Sequence, residues 1–245
     1  MNTMPNTQET NSCKVMDISN RNSNYKNRCV KLRKEIREPV QPIKDISDIQ
    51  KAKDYLFNRE GRYSITNKRD YAIFVLMINI AKRAGDVLNL TVNDILNKNG
   101  TFKKEIWIIT EKKQKQEVFS LSSSAQEALT LYFEEHPEIL EDRNNGLFPS
   151  RQSNGKSMGY NNLYAIFKGI EKKINEDKDD NNKVHVATHS ARKTWAYHTT
   201  INNKDDAYIV KHVSKVLGHK DEATTNHYLG FDRDTTVKLF QNNGL

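Results

Sequence analysis

The sequence predicts a mainly α fold with one small antiparallel β-sheet, the α+β class. Three observations carry this. Apolar residues recur every three or four positions through several segments, two short β-type runs flank a lysine-rich link, and no internal repeat is visible. In chain order, Ile46, Ile49, Ala52, Lys53 and Leu56 give an amphipathic helical spacing, opened by an N-cap at Asp45 or Ser47. Asn67 to Ile80 reads as a buried helix through Tyr71, Phe74, Val75 and Ile78. A further helix begins between Arg83 and Asp86 and carries Val87, Leu88 and Leu90, and Asn97 to Gly100 is a turn signal. Ile106 to Ile109 and Val118 to Leu121 are the two strands, joined into a hairpin by the basic link Glu111 to Glu117. Ser122 to Glu134 returns to helix, with Ala125, Leu129, Leu131, Tyr132 and Phe133 as its apolar face. A Gly, Ser and Asn-rich loop runs from Pro149 to Gly159. Asn161 to Ile174 is helical, Asn175 to Lys183 is a polar linker, and from Thr188 onward the chain is helical with breaks at Asn202-Asn203 and Gly218-His219.

Composition narrows the function classes. The 245 residues carry a net charge of +8, which favours a polyanionic partner over acidic small molecules. The longest apolar run, Ala72 to Ala81, is interrupted by Asn79 and is too short to span a bilayer. No apolar segment marks the first thirty residues as a secretory signal. Cys13 and Cys29, the only cysteines, form no close metal-type pair, so a cytoplasmic, disulfide-free and metal-free protein is expected.

Residues 1–40 hold eight basic side chains (Lys14, Arg21, Lys26, Arg28, Lys31, Arg33, Lys34, Arg37) against four acidic ones (Glu9, Asp17, Glu35, Glu38), and few large apolar ones. They read either as a disordered arm lying along DNA phosphates or as a solvated tail. Pro39 and Pro42 mark a boundary, and residues 41–245 are expected to form the domain.

Four segments hold residues with chemistry to offer. His189 and Arg192, in His189-Ser190-Ala191-Arg192, stand three apart on one helical face and together can grip a phosphate. By itself this spacing is a weak signal. Arg83 stands where one apolar helix ends and the next begins, either as a surface charge or paired with Asp86. Lys112, Lys113 and Lys115 occupy the hairpin tip, as a solvated turn or as a grip on DNA. The informative stretch is Leu217-Gly218-His219 followed, nine residues beyond His219, by Tyr228 after the Thr224-Thr225 pair.

This last stretch resembles the C-terminal signature of the tyrosine recombinase and integrase family, and other family boxes occur in order. Arg83 to Leu90 is similar to its first box, with Asp86 at the acidic position. The lysine hairpin follows, Leu147-Phe148-Pro149-Ser150 resembles the segment before the next helix, and His189 with Arg192 matches its His-x-x-Arg. The resemblance spans residues 43 to 235. Ala81 stands where the family usually has Gly, Lys82 where an apolar residue is usual, and Ala191 where Leu is usual.

What the resemblance implies is a tyrosine recombinase catalytic-domain fold and a site-specific recombinase that cuts and rejoins DNA through a 3′-phosphotyrosine. Tyr228 would be the nucleophile, Arg83 and Arg192 the phosphate ligands, His189 and His219 donors or acceptors at the same phosphate, and Lys112 the acid on the leaving 5′ oxygen, with Lys113 and Lys115 as alternatives. Lys82, Lys113, Lys115, Lys193 and Lys220 are candidate DNA contacts. Neither ATP nor a metal cofactor is called for. Double-stranded DNA, a homotetramer and DNA-bending accessory proteins are the expected partners, with no membrane, in the cytoplasm at the nucleoid. About forty residues precede the domain, too few for the family's separate core-binding domain, so a catalytic-domain-only enzyme or a truncated one is expected. The tail 229–245, with Val237, Leu239 and Phe240, would dock on a neighbouring subunit or pack on its own. A silent DNA-binding regulator and a type IB topoisomerase are the alternatives to a recombinase.

Overall fold

Helices and a single two-stranded sheet make up the computed structural model, which describes residues 40–112, 114–150, 155–230 and 241, the side chains of 62–64 excepted. The arm at 1–39, Lys113 and the tail positions Val237, Leu239 and Phe240 lie outside the described residues.

Helix α1 (Ile46–Phe57) opens on Asp45, whose carboxylate accepts the Ser47 N–H at 2.8 Å. It turns Ile49, Ala52 and Leu56 inward, but Ile46 is 66% exposed, so the first position of the predicted apolar face lies outside the core. Helix α2 (Asn67–Ile80) has the predicted span. Ala72 through Met77 are fully buried because α1, α5 (Ser123–Glu135) and α7 (Thr188–Asn202) enclose it. It stops at Ala81, whose φ of 54° lies in the left-handed region. Two short helices follow, α3 (Ala84–Leu88) and α4 (Val92–Ile95). The second is closed by a reciprocal cap between Thr91 and Asp94.

The hairpin pairs β1 (Ile106–Ile109) with β2 (Gln116–Phe119), Ile106 opposite Phe119 and Ile109 opposite Gln116. The second strand thus starts two residues before the predicted apolar run. The ladder is set by the turn, where the Thr110 N–H donates to Lys115 O and the Gln114 N–H to Thr110 O. In α5, Leu131 is 37% exposed while Leu129 and Tyr132 face the core. Helix α6 (Tyr160–Ile174) buries Leu163, Ile166, Phe167, Ile170 and Ile174, completing the larger core.

A second, smaller core joins Ala81, Ala196, Val213, Leu217 and Leu229. It binds α7 to α8 (Ile209–Leu217) and α9 (Glu222–Leu229). Gly218 makes the turn between α8 and α9. Its φ is 63°, its N–H donates to Lys215 O and the next N–H, of His219, reaches back to Ser214 O, the paired bonds of a helix stop that needs a left-handed residue. The Leu-Gly-His signature is therefore a device that ends a helix and aims an imidazole.

Candidate active site

Four pieces of chain converge on one site. Arg83 caps α3 in extended conformation (ψ 155°), just after the left-handed residue Ala81. His189 and Arg192 come from the first turns of α7. This start is fixed by the Ala187 N–H donating to the Ser190 hydroxyl at 3.1 Å, with Ser190 fully buried. His219 follows the Gly218 turn, and Tyr228 lies on α9, which begins at the Asp221 cap.

The Tyr228 hydroxyl is 3.1 Å from His189 Nε2, and the His189 ring stands edge-on to the phenol at 5.4 Å between centroids. The His219 ring meets the phenol from another side at 4.9 Å, and the Lys193 ammonium lies 4.8 Å from the same ring centre. Three basic side chains surround one phenol. Burial pushes the Tyr228 pKa up to about 12, against the opposite pull of the Arg192 and Arg83 guanidiniums. His189 moves the other way. Its ring is open to solvent on one side, yet burial of the rest, and then the positive charges of Arg192, Lys193, Arg83 and His219, bring it down to about 4. At neutral pH it is an uncharged imidazole facing a protonated phenol.

Arg192 is 3% exposed. One of its Nη atoms donates to Leu217 O at 2.7 Å, and the other, Nη1, is buried with no hydrogen-bond partner. Arg83 Nη1 is likewise buried and unbonded, 3.9 Å from Asp86 Oδ2, which is itself unbonded. The pairing of Arg83 with Asp86 thus stays beyond hydrogen-bond reach. The other Asp86 oxygen accepts the Glu111 backbone N–H at 3.0 Å and so fastens the hairpin turn to this end of α3. Buried guanidinium nitrogens without partners are costly. An anion seated between Arg83 and Arg192 removes that cost, with donors matched to the oxygens of a phosphodiester.

Residues 58–233 match the phage integrase family. A Bacillus subtilis (strain 168) protein named "Probable integrase/recombinase YoeC" is 30% identical over 203 residues, covering 82% of this chain and 96% of that one. The chain belongs to the phage integrase family. Among solved structures the fold is similar to that of XerA recombinase (TM-score 0.58, 19% identity, 84% of this chain and 67% of that chain). It is similar also to XerH site-specific recombinase bound to a palindromic difH substrate (TM-score 0.59, 19% identity, 83% and 53%). The chain therefore spans about half the length of XerH. Membership makes it a site-specific recombinase of the tyrosine class, a DNA strand transferase.

Of the residues this integrase was expected to use, Arg83, His189, Arg192, His219 and Tyr228 meet at one place. Lys112 and Lys115 are exposed in the hairpin turn, and Lys220 is exposed beyond the Gly218 turn. Two of the candidate DNA lysines lie elsewhere than on an open surface. Lys193 rests on the Tyr228 ring. Lys82 is 3% exposed and its ammonium is 2.7 Å from Glu117 Oε2, so its charge is spent inside the molecule and not on an outer face. Sequence reading also passed over Thr225. Its buried hydroxyl shares a 2.9 Å hydrogen bond with His219 Nδ1 and fixes that ring's orientation. The Thr-Thr pair before the tyrosine was visible, but a side chain six residues from its partner gives no period to read.

Proposed function

We propose that this integrase cleaves double-stranded DNA with Tyr228 and rejoins it through a 3′-phosphotyrosine. The observation that carries the reading is the Tyr228 hydroxyl 3.1 Å from His189 Nε2, with the Arg192 guanidinium, one nitrogen of which is buried, acting on the same phenol. Arg83 and Arg192 take the non-bridging oxygens of the scissile phosphate, each such donor contributing about 3 kcal/mol to the transition state by analogy with oxyanion holes. Tyr228 Oη attacks phosphorus and its proton passes to His189 Nε2. The bond from phosphorus to the 5′ oxygen breaks, and that oxygen takes a proton from a hairpin lysine, Lys112 in the first place. His219, held by Thr225, supports the phosphate from the other side. The arriving phosphate also counters the cations around His189, raising its pKa and making it a better proton acceptor just when one is needed.

The new phosphotyrosine is again a diester, so a 5′-hydroxyl from the same or another duplex reverses the step without ATP. Strand exchange then requires two duplexes, hence four protomers, with accessory proteins bending the DNA. XerH, whose fold this chain shares, was captured with its substrate in a post-cleavage complex, which supports DNA as the partner here. The basic arm at 1–40 and the lysines at 115, 193 and 220 add charge for that partner, and the enzyme works in the cytoplasm at the nucleoid.

The test is a nicked suicide duplex made from the DNA flanking the gene, on which cleavage releases a short strand and traps the intermediate. The wild-type protein is expected to form a covalent adduct that Tyr228→Phe abolishes. No adduct on any flanking DNA would leave a silent DNA-binding protein. Relaxation of supercoils without strand exchange would identify a type IB topoisomerase instead.

A further inference from the structure

We propose that Lys82 is a positioning residue: through its buried ion pair with Glu117 it sets where the hairpin turn, and the lysine acid on it, stands relative to Arg83. The inference rests on the cleavage reading above.

The hairpin is lightly held. Its strands are four residues each, and Trp107, Ile109 and Val118 are 54%, 70% and 46% exposed, so one whole face contributes little burial. A two-stranded ribbon of this size has little stability of its own, and its placement depends on what grips it. Ile106, Ile108 and Phe119 pack one face against the larger core, and two side chains from the short stretch between Ala81 and Asp86 fix the ribbon by polar contacts. Lys82 Nζ reaches β2, 2.7 Å from Glu117 and 5.6 Å from the centre of the Phe119 ring. Asp86 Oδ1 accepts the Glu111 N–H at the start of the turn.

An apolar side chain would fill the Lys82 position without desolvating a charge, and the buried pair is poor at adding stability. What an ion pair adds is registry. Apolar surfaces slide past one another, whereas a 2.7 Å charged hydrogen bond fixes one atom against another. Glu117 stands opposite Ile108 in the ladder, so gripping Glu117 fixes the strand that leads directly out of the turn.

A sulfur substitution separates positioning of the acid from other defects. Two nicked substrates are compared in single-turnover cleavage, one ordinary and one with sulfur replacing the bridging 5′ oxygen. A thiolate leaves without a proton and so does not need the lysine. Lys82→Met and Glu117→Gln are each expected to slow cleavage of the ordinary substrate by about a hundredfold, the cost of a misplaced catalytic group. The sulfur substrate is expected to stay within about threefold of wild type, because only the acid step is lost. The double variant should be no slower than either single one, since both break the same ion pair. Misfolding or loss of phosphate binding lowers both substrates alike. Equal losses on the two, or no loss on the ordinary one, would overturn the inference, and Glu117→Gln, at the less buried partner, decides the case if Lys82→Met fails to fold. A wild-type protein that forms no adduct with either substrate would overturn the cleavage reading itself, and this inference with it.

Discussion

Two clusters of buried and part-buried arginine in this molecule are balanced in opposite ways. Near the start of α2, Asp70 accepts from Arg59 at 2.6 Å, from Arg69 at 2.9 and 2.8 Å and from the Thr66 hydroxyl at 3.3 Å, so both carboxylate oxygens are engaged. At the other cluster, Arg83 and Arg192 each keep a buried nitrogen without a hydrogen bond, and Asp86 holds its free oxygen 3.9 Å from Arg83. The first cluster is complete as folded. The second is complete only when an anion arrives from outside, and that incompleteness separates a binding site from a structural knot built of the same residue types.

The sharpest way to break the comparison is to remove Asp70. Asp70→Ala takes the shared carboxylate from two part-buried arginines and should cost about 2–3 kcal/mol of stability, read as a lower urea midpoint. Cleavage per folded molecule should be unchanged. Arg192→Gln should do the reverse. Single-turnover cleavage should fall about 10²–10³-fold, while the melting temperature moves little because an uncompensated charge has gone. If Arg192→Gln destabilises as much as Asp70→Ala, the two clusters are alike after all.

His189→Asn sharpens the account of the site. In the free protein the imidazole is uncharged down to about pH 4, and bound phosphate raises that value, so cleavage should fall with acid at a higher pH than the free imidazole titrates. Without the imidazole, the Tyr228 proton must leave to hydroxide. The rate near neutral pH should drop by about a hundredfold and then climb tenfold per pH unit, since the phenol titrates only near pH 12. A pH profile parallel to wild type would remove His189 from the proton path. A smaller effect is expected from sulfate. At about five times its Kd it should stabilise the wild type by about 1 kcal/mol, raising the melting temperature by about 2–4 °C, and should not do so in Arg192→Gln. Smallest of all is Ala81→Gly. Relief of the left-handed backbone gains about 1 kcal/mol, and loss of a buried methyl from the smaller core costs about 0.8 kcal/mol. Urea denaturation should therefore place the variant within about 0.5 kcal/mol of wild type.

Much of the frame could be read without coordinates. The α2 span, the Asp45 cap, the hairpin and the breaks at Asn202-Asn203 and Gly218 follow from local periodicity and turn chemistry, which a linear sequence carries. The β2 boundary did not, because main-chain pairing started at Gln116, before the apolar run. Ile46 and Leu131 show that an apolar side chain beside a helical stripe can still face water. The site positions were visible as a family pattern, but their balance was not. Asp70 with Arg59, and Lys82 with Glu117, are partners 11 and 35 residues apart, and nothing in either neighbourhood names the other. The same gap made Lys82 look like a surface contact.

The smaller core has a kinetic consequence. Four buried side chains from α7, α8 and α9 meet Ala81 in that core, whereas α2 packs into a core several times larger. Opening free energies follow such differences in local burial. The amides of α9 should therefore exchange with deuterated solvent well before those of α2, and the helix that carries Tyr228 is among the first of the described helices to let go.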